Sequence, residues 1–458
     1  MRLSRTLFNF LSFPIVAFIF FTSCSEDEIT PSPQVLEINE FIWENMNQMY
    51  LWNDNIPQNI NRNKEFDPEV YFDKLLFKPT DRWSFITDDY IGLINSFKGI
   101  EKTFGHNFKL FLLPNSSAVV GIVKYVVPDS PADLAGIQRG DVFYKVNGTI
   151  INASNYQNLL FDRESYILSF GEFNQDGQIV PTEDISLTSV TISENPVFIH
   201  KTIDYEGDKI GYLSYNQFIG EYNDSLVNVF HQFKNDGIQD LVLDLRYNPG
   251  GSITSAILLS SMIAPAGVVN NNEVFSRLIW NDLVNDYLIE EEGEESDNLI
   301  SRFFTPEVNL NLDKVYILIT SITASASELV INCLDPYMEV ILVGAENTTG
   351  KYVGSITVHD EETSHGWAMQ PIVLKTANAN GISDYGNGFT PDYLIEDDFD
   401  AELGTLAEDM LAKSLELITG KTIIEPARIA ATNIPKNMLA LPDERLSQKQ
   451  NMYVDMNY

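Results

Sequence analysis

Four short apolar runs, at residues 210–215, 241–245, 315–320 and 340–343, are separated by segments at 225–234, 254–263 and 327–337 that can form helices. Runs of this length without polar alternation are the mark of strands buried on both faces. Strands that alternate with helices build a mostly parallel sheet covered by helices. The region 194–420 is therefore expected to be an α/β core. Sheets of this kind place their sites beyond the carboxyl ends of the strands, which directs attention to the loops after residues 245, 320 and 343.

The start of the chain bears on its compartment. Arg2 and Arg5 precede an apolar run, residues 7–21, that is interrupted by Asn9, Ser12 and Pro14. A membrane span needs about 20 apolar residues, so residues 1–23 read as a signal peptide. The run ends in Phe21-Thr22-Ser23-Cys24, which resembles the cleavage box of bacterial lipoproteins, where the cysteine is lipidated. Ser25-Glu26-Asp27-Glu28 resembles the surface-export signals of Bacteroidetes-type lipoproteins. These resemblances imply a lipid anchor at Cys24 in the outer membrane of a Gram-negative bacterium, facing the periplasm or the cell surface, with residues 24–34 as a tether.

Charge removes other function classes. The chain has 65 Asp plus Glu against 29 Lys plus Arg, a formal net charge of −36. Losing residues 1–23 would delete Arg2 and Arg5 and no acid, so the exported form is more acidic still. Such a surface repels phosphate backbones, and no basic patch offsets it, which argues against nucleic-acid binding. Five histidines and two cysteines leave no Cys-rich zinc site. Cys333 is the one cysteine after Cys24, so an internal disulfide is not expected.

Between tether and core, Ile38, Phe41, Ile42, Met46, Met49 and Tyr50 keep helical spacing, and a second helix is expected over 68–77. Residues 35–98 form an N-terminal helical region, with Asp81-Arg82-Trp83-Ser84-Phe85 leading into a connector. Residues 99–193 are strand-rich. They contain Ser130-Pro131-Ala132-Asp133-Leu134-Ala135-Gly136-Ile137-Gln138-Arg139-Gly140-Asp141 and then Val146-Asn147-Gly148. This order of short helix, glycine turn, strand start and Asn-Gly turn resembles a PDZ domain. The resemblance implies capture of a peptide C-terminus as an added strand, with Gly105, His106, Asn107 and Phe108 as the carboxylate loop. Residues 289–297 carry five glutamates and read as a solvated loop. Residues 421–458 lack a period and read as a loosely attached tail.

Three loops of the core carry candidate chemistry. Asp244-Leu245-Arg246-Tyr247-Asn248-Pro249-Gly250-Gly251 follows a strand, and its two glycines leave backbone N–H groups open to an anion or oxyanion. Thr320-Ser321-Ile322-Thr323-Ala324-Ser325-Ala326-Ser327-Glu328 runs from strand to helix. Ser325 and Glu328 satisfy a capping box, yet the small neighbours Ala324 and Ala326 leave room for a carbonyl beside the Ser325 hydroxyl. Cap and nucleophile are both open readings. A nucleophile needs a base: His359 and His365 are the nearest histidines, and Lys351 is a third candidate. A helix of about twelve residues leads roughly 18 Å away from Ser325, and the strand at 339–344 returns a similar distance. That brings Lys351 back to the level of Ser325, and burial beside Tyr352 and Val353 would lower its pKa.

Asp-Leu-Arg-x-Asn-Pro-Gly-Gly, Ala-Ser-Ala-Ser-Glu and Gly-Lys, following a PDZ-like module, resemble the carboxyl-terminal processing (tail-specific) serine peptidases of family S41. Gly386-Asn387-Gly388-Phe389-Thr390-Pro391-Asp392 resembles a late element of that family. The resemblance implies a multidomain α+β chain with an S41 peptidase core and a Ser–Lys endopeptidase that needs no cofactor or metal. Ser325 would be the nucleophile, with Ser321 and Ser327 competing, and Lys351 the base. Ala326, Gly250 and Gly251 would supply the oxyanion hole. The expected substrates are proteins or peptides with accessible C-termini. Where many members have a lysine-orienting Gln four residues after the Lys, this chain has Ser355, which leaves a catalytically silent peptide-binding lipoprotein as the alternative.

Overall fold

The computed structural model describes residues 30–78, 80–161, 163–359, 365–422, 434–435, 437–441 and 452–454. The expected signal peptide and Cys24 lie outside these residues. Among the described residues, no helix is long and apolar enough to cross a membrane.

The core sheet has six strands in the order Val197–Tyr205, Asp208–Tyr215, Asp240–Asp244, Lys314–Leu318, Glu339–Gly344 and Tyr393–Leu394. The first pair is antiparallel and the rest are parallel. Successive side chains leave a strand on opposite faces. Leu241, Leu243 and Leu245 therefore meet Leu226, Phe230 and Phe233 of helix Asn223–Asp236, with helices Ile253–Ile263 and Ala326–Leu334 beside them. Val242 points the other way, with Tyr212 and Leu318, onto Met410, Leu411 and Leu415 of helix Asp409–Thr419. This is the α/β core expected from the apolar runs, with helices on both faces.

The N-terminal helices Pro33–Met49 and Pro68–Leu75 each begin with proline after a capping side chain, Ser32 and Asp67. Ile38, Phe41, Ile42, Met46, Tyr71 and Phe72 are buried against Val353, Ile372, Leu374, Leu278 and Trp280. These helices thus share a hydrophobic core with a second sheet, in which Val353–Ser355, Ile372–Ala377, Val274–Trp280 and Ile300–Arg302 are neighbours.

The PDZ-like module is an antiparallel sheet in which His106–Leu112, Val119–Val126, Val142–Val146, Ser165–Phe173 and Ile179–Thr188 follow one another. Helices Pro131–Leu134 and Tyr156–Leu160 accompany it.

Two expectations are corrected. The first glutamates of the acidic stretch are not loop: Glu290, Glu291 and Glu292 close helix Asp282–Glu292, which Gly293 ends at φ 87°. The region after Lys421 is not loosely attached where it is described. Leu439–Ala440 pairs with strand His106–Leu112, and Met452–Tyr453 enters the second sheet between Gly251–Ser252 and Val353–Ser355. A pairing so distant in sequence leaves no local period to read.

Candidate active site

Ser325 joins the loop after strand Lys314–Leu318 to helix Ala326–Leu334. Its backbone lies at φ 61°, ψ −113°, a region that non-glycine residues occupy only when their surroundings enforce it. Its hydroxyl is buried and has no hydrogen-bond partner. Within the capping-box pattern of Ser325 and Glu328, Glu328 Oε2 accepts the Ser325 N–H at 2.8 Å. The competing serines differ. Ser327 Oγ donates to the Asn248 carbonyl at 3.1 Å, and Ser321 is exposed.

Lys351 follows the neighbouring parallel strand Glu339–Gly344, so Ser325 and Lys351 leave the same edge of the sheet. Glu328 connects them. Its Oε2 also accepts the Lys351 N–H at 2.8 Å, and its Oε1 accepts the Gly350 N–H at 2.6 Å and the Thr348 hydroxyl at 2.5 Å. Burial pushes the Glu328 carboxyl up, opposed by the Thr348 hydroxyl and these N–H groups. Lys351 is wholly buried, and burial pushes its ammonium down to about 7 in spite of the Asp81 and Glu328 carboxylates. Its Nζ lies 5.9 Å from the centre of the Trp83 ring.

The late glycine element explains how the lysine loop is held. A Cβ on Gly388 (φ 76°) would stand 1.9 Å from the Thr348 carbonyl oxygen, and one on Gly350 (φ 83°) 2.4 Å from the Gly386 oxygen. Backbone lies on backbone here, and Phe389 N–H donates to Thr348 Oγ1 at 2.7 Å.

The two glycines of the other loop are not equivalent. Gly250 N–H donates to Asn248 Oδ1 at 2.9 Å, so the expectation that Gly250 offers an open donor is corrected. The Gly250 carbonyl and the Ser252 N–H both bond to Phe218. These two bonds bridge Phe218 to Gly251 from the residues on either side of it, so the N–H of Gly251 itself faces the opposite edge. Asn248 ties this loop to the serine loop by accepting from Ala324 N–H as well as Ser327. Ala326 opens its helix, where N–H groups lack intrahelical acceptors. Ser355 is buried on strand Val353–Ser355. His359 stacks on Tyr90 at 3.7 Å, and His365 lies edge-on to Phe41.

Residues 105–108 border a cleft of about 450 Å³ between the PDZ-like module and the core. Phe108 and Phe161 line it on one side, and Pro249, Ile322 and Asn216 on the other. Within it Gly105 N–H already donates to Thr103 Oγ1 at 3.1 Å. His106 is packed beside Tyr166, and burial pushes its imidazole down to about 4, keeping it neutral. Arg139 links the module to the core through Tyr247 Oη at 2.7 Å and Asp397 Oδ1 at 2.8 Å. Arg246 meets the same Asp397 oxygen at 2.9 Å. Burial raises the Asp397 carboxyl, but the two arginines overcome it and hold it at about 2.

The family model for peptidase family S41 matches residues 209–395, that for the peptidase S41 N-terminal domain residues 37–85, and that for a PDZ domain residues 122–161. A solved structure, a putative S41 protease from Bacteroides fragilis, is 30% identical with a TM-score of 0.68, covering 83% of this chain and 97% of that one. The chain belongs to peptidase family S41. A probable CtpA-like serine protease of Staphylococcus aureus is 25% identical over 268 residues, 58% of this chain and 48% of the relative. A carboxyl-terminal-processing protease of Synechocystis is 26% identical over 306 residues, 64% of each. The S41 chain thus spans about half the length of the staphylococcal relative it matches.

Sequence reasoning missed Asp81 and Trp83, which fall inside the S41 N-terminal match. Asp81 Oδ1 accepts the N–H groups of Trp83 and Ser84 at 3.0 Å each, and Tyr50 Oη donates to its Oδ2 at 2.7 Å. The Asp-x-x turn pattern was visible in the sequence; that it would face Lys351 was not.

Proposed function

We propose that the chain is a serine endopeptidase with a Ser325–Lys351 dyad, acting on proteins whose C-terminal tails the PDZ-like module selects. One observation carries the proposal: the backbone N–H groups of Ser325 and Lys351 share one carboxylate anchor, beside a buried, unpartnered Ser325 hydroxyl and a lysine whose pKa is depressed to about 7. A neutral Lys351 can take the hydroxyl proton as Oγ attacks the scissile carbonyl carbon. The proton then passes to the leaving amine as the C–N bond breaks, and water hydrolyses the acyl ester. The N–H groups of Ala326 and Gly251 are the candidate oxyanion donors. Ser355 is the candidate for orienting the lysine.

Ser355 in place of the longer glutamine is the observation that favours a silent peptide binder instead. A lysine held near neutrality argues against it, since a binder gains nothing from burying an ammonium without cause. The experiment is hydrolysis of casein by residues 25–458 and by Ser325→Ala and Lys351→Ala. Cleavage by the parent alone supports the peptidase, and equal rates in all three dismiss the dyad. Anchoring to the outer membrane through Cys24 belongs to the same proposal and rests on the N-terminal sequence. Cys24→Ala should move the chain from the membrane to the soluble fraction, and unchanged fractionation would refute the anchor.

A further inference from the structure

The segment Met452–Tyr453 lies between the two edges that frame the proposed site. On one side it runs parallel to Gly251–Ser252, with Gly251 opposite Met452 and Ser252 opposite Tyr453. This is the edge to which the Gly251 N–H is turned. On the other side Tyr453 pairs with Ser355, and Val454 N–H donates to the Ser355 carbonyl at 3.2 Å. An extended peptide in this slot therefore receives main-chain pairing from the glycine turn and from the strand that follows Lys351. Main-chain pairing of this kind accepts many sequences, and side-chain seats add selectivity. One seat is evident. The Tyr453 ring stacks on Phe97 with centroids 4.6 Å apart and is 9% exposed, and Val454 packs on the apolar clusters of both layers.

A second stretch of the same tail sits on the PDZ-like module. Leu439 and Ala440 pair antiparallel with Leu112 and Phe111, and Leu441 N–H donates to the Leu110 carbonyl at 2.9 Å. The direction of this pairing is from Leu112 toward Gly105; His106, Asn107 and Phe108, expected in a carboxylate loop, are instead the first residues of strand His106–Leu112, and Gly105 alone precedes it.

We infer that the slot between Gly251–Ser252 and Val353–Ser355 is a binding site for an extended peptide with an aromatic side chain seated on Phe97, and that the chain's own C-terminal segment fills it as a tethered competitor of substrate. This rests on the peptidase reading for its consequence but not for the binding itself. A tethered segment competes at an effective concentration that reaches about a millimolar for short flexible links, so a free peptide of the same sequence must meet an already occupied slot.

The test uses a fluorescein-labelled peptide of residues 450–458 and fluorescence anisotropy. The proteins are residues 25–458, the same chain ending at Asn451, and full-length Tyr453→Asp, each also carrying Ser325→Ala to prevent turnover. The labelled peptide should bind the shortened chain and Tyr453→Asp at least tenfold more tightly than it binds the full chain. Equal affinity for all three, or binding to none, overturns the inference. With Ser325 restored, shortening should raise kcat/KM for casein at least tenfold. Opened binding without hydrolysis in any form would leave the slot standing and reject the peptidase reading instead.

Discussion

Ser325 and Lys351 hang from the same oxygen: Glu328 Oε2 accepts both of their backbone N–H groups, each at 2.8 Å. The two loops come from different strands, and a buried carboxylate holding both fixes their separation against the flexibility of either. Glu328 thereby acts as a positioning residue. Glu328→Gln replaces an acceptor oxygen by a donor facing N–H groups, which leaves buried donors unsatisfied at about 1–3 kcal/mol each. It should lower the melting temperature and cut kcat by tenfold or more with little change in KM. An unaltered kcat in a folded variant would remove Glu328 from the account.

The dyad makes a pH prediction. With the Lys351 pKa at about 7, the neutral base is absent well below pH 7 and present above it. The rate kcat should therefore rise through pH 7 and level off by about pH 8.5. Lys351→Arg, whose guanidinium stays protonated, should be inactive throughout. A flat profile across pH 5–9 would exclude lysine as the group that titrates.

The same depression affects stability. The folded-state pKa lies below the unfolded value of 10.5, so between about 7 and 10.5 the unfolded chain binds more protons, and stability rises with pH across that window. Below about 7 the cost of the buried ammonium is fully present, at about 1.4 kcal/mol for each unit of depression. Lys351→Met should be more stable than the parent at pH 6 while having no activity. A loss of stability at pH 6 in denaturant titrations would show that the ammonium is well paired.

Gly388→Ala tests the support behind the lysine. The added Cβ would meet the Thr348 carbonyl at 1.9 Å, on a backbone at φ 76°. Clash and strain together should cost more than about 2 kcal/mol and reduce activity, although Gly388 touches neither Ser325 nor Glu328 in any hydrogen bond. Gly381→Ala, at φ 79° with open space around its Cβ, is the control and should cost only the strain. Equal effects of the two substitutions would contradict the packing argument.

Much of this architecture can be read in the sequence because it is local. Compact apolar runs announce the buried strands, Pro68 opens the second helix, and the Gly-Gly and Ser-x-x-Glu patterns stand where the core strands end, whereas Pro33 and Gln34, expected in the tether, already belong to the first helix behind the Ser32 cap. Illegible were contacts between distant segments. Nothing near Asp81 or Trp83 indicates that they will lie against Lys351, and Asn248 Oδ1 capturing the Gly250 N–H is decided by how the turn closes. Residues 452–454 have no periodicity of their own, because both their strand partners come from elsewhere in the chain.

The central claim is that Ser325 is the nucleophile and Lys351 its base, and the most direct measurement is initial-rate hydrolysis of casein at pH 8 by the chain ending at Asn451. The shortened chain should cleave, and Ser325→Ala and Lys351→Ala in the same background should each lose at least about a thousandfold in kcat/KM. Equal hydrolysis by the three proteins, or none by the shortened parent, would contradict the account.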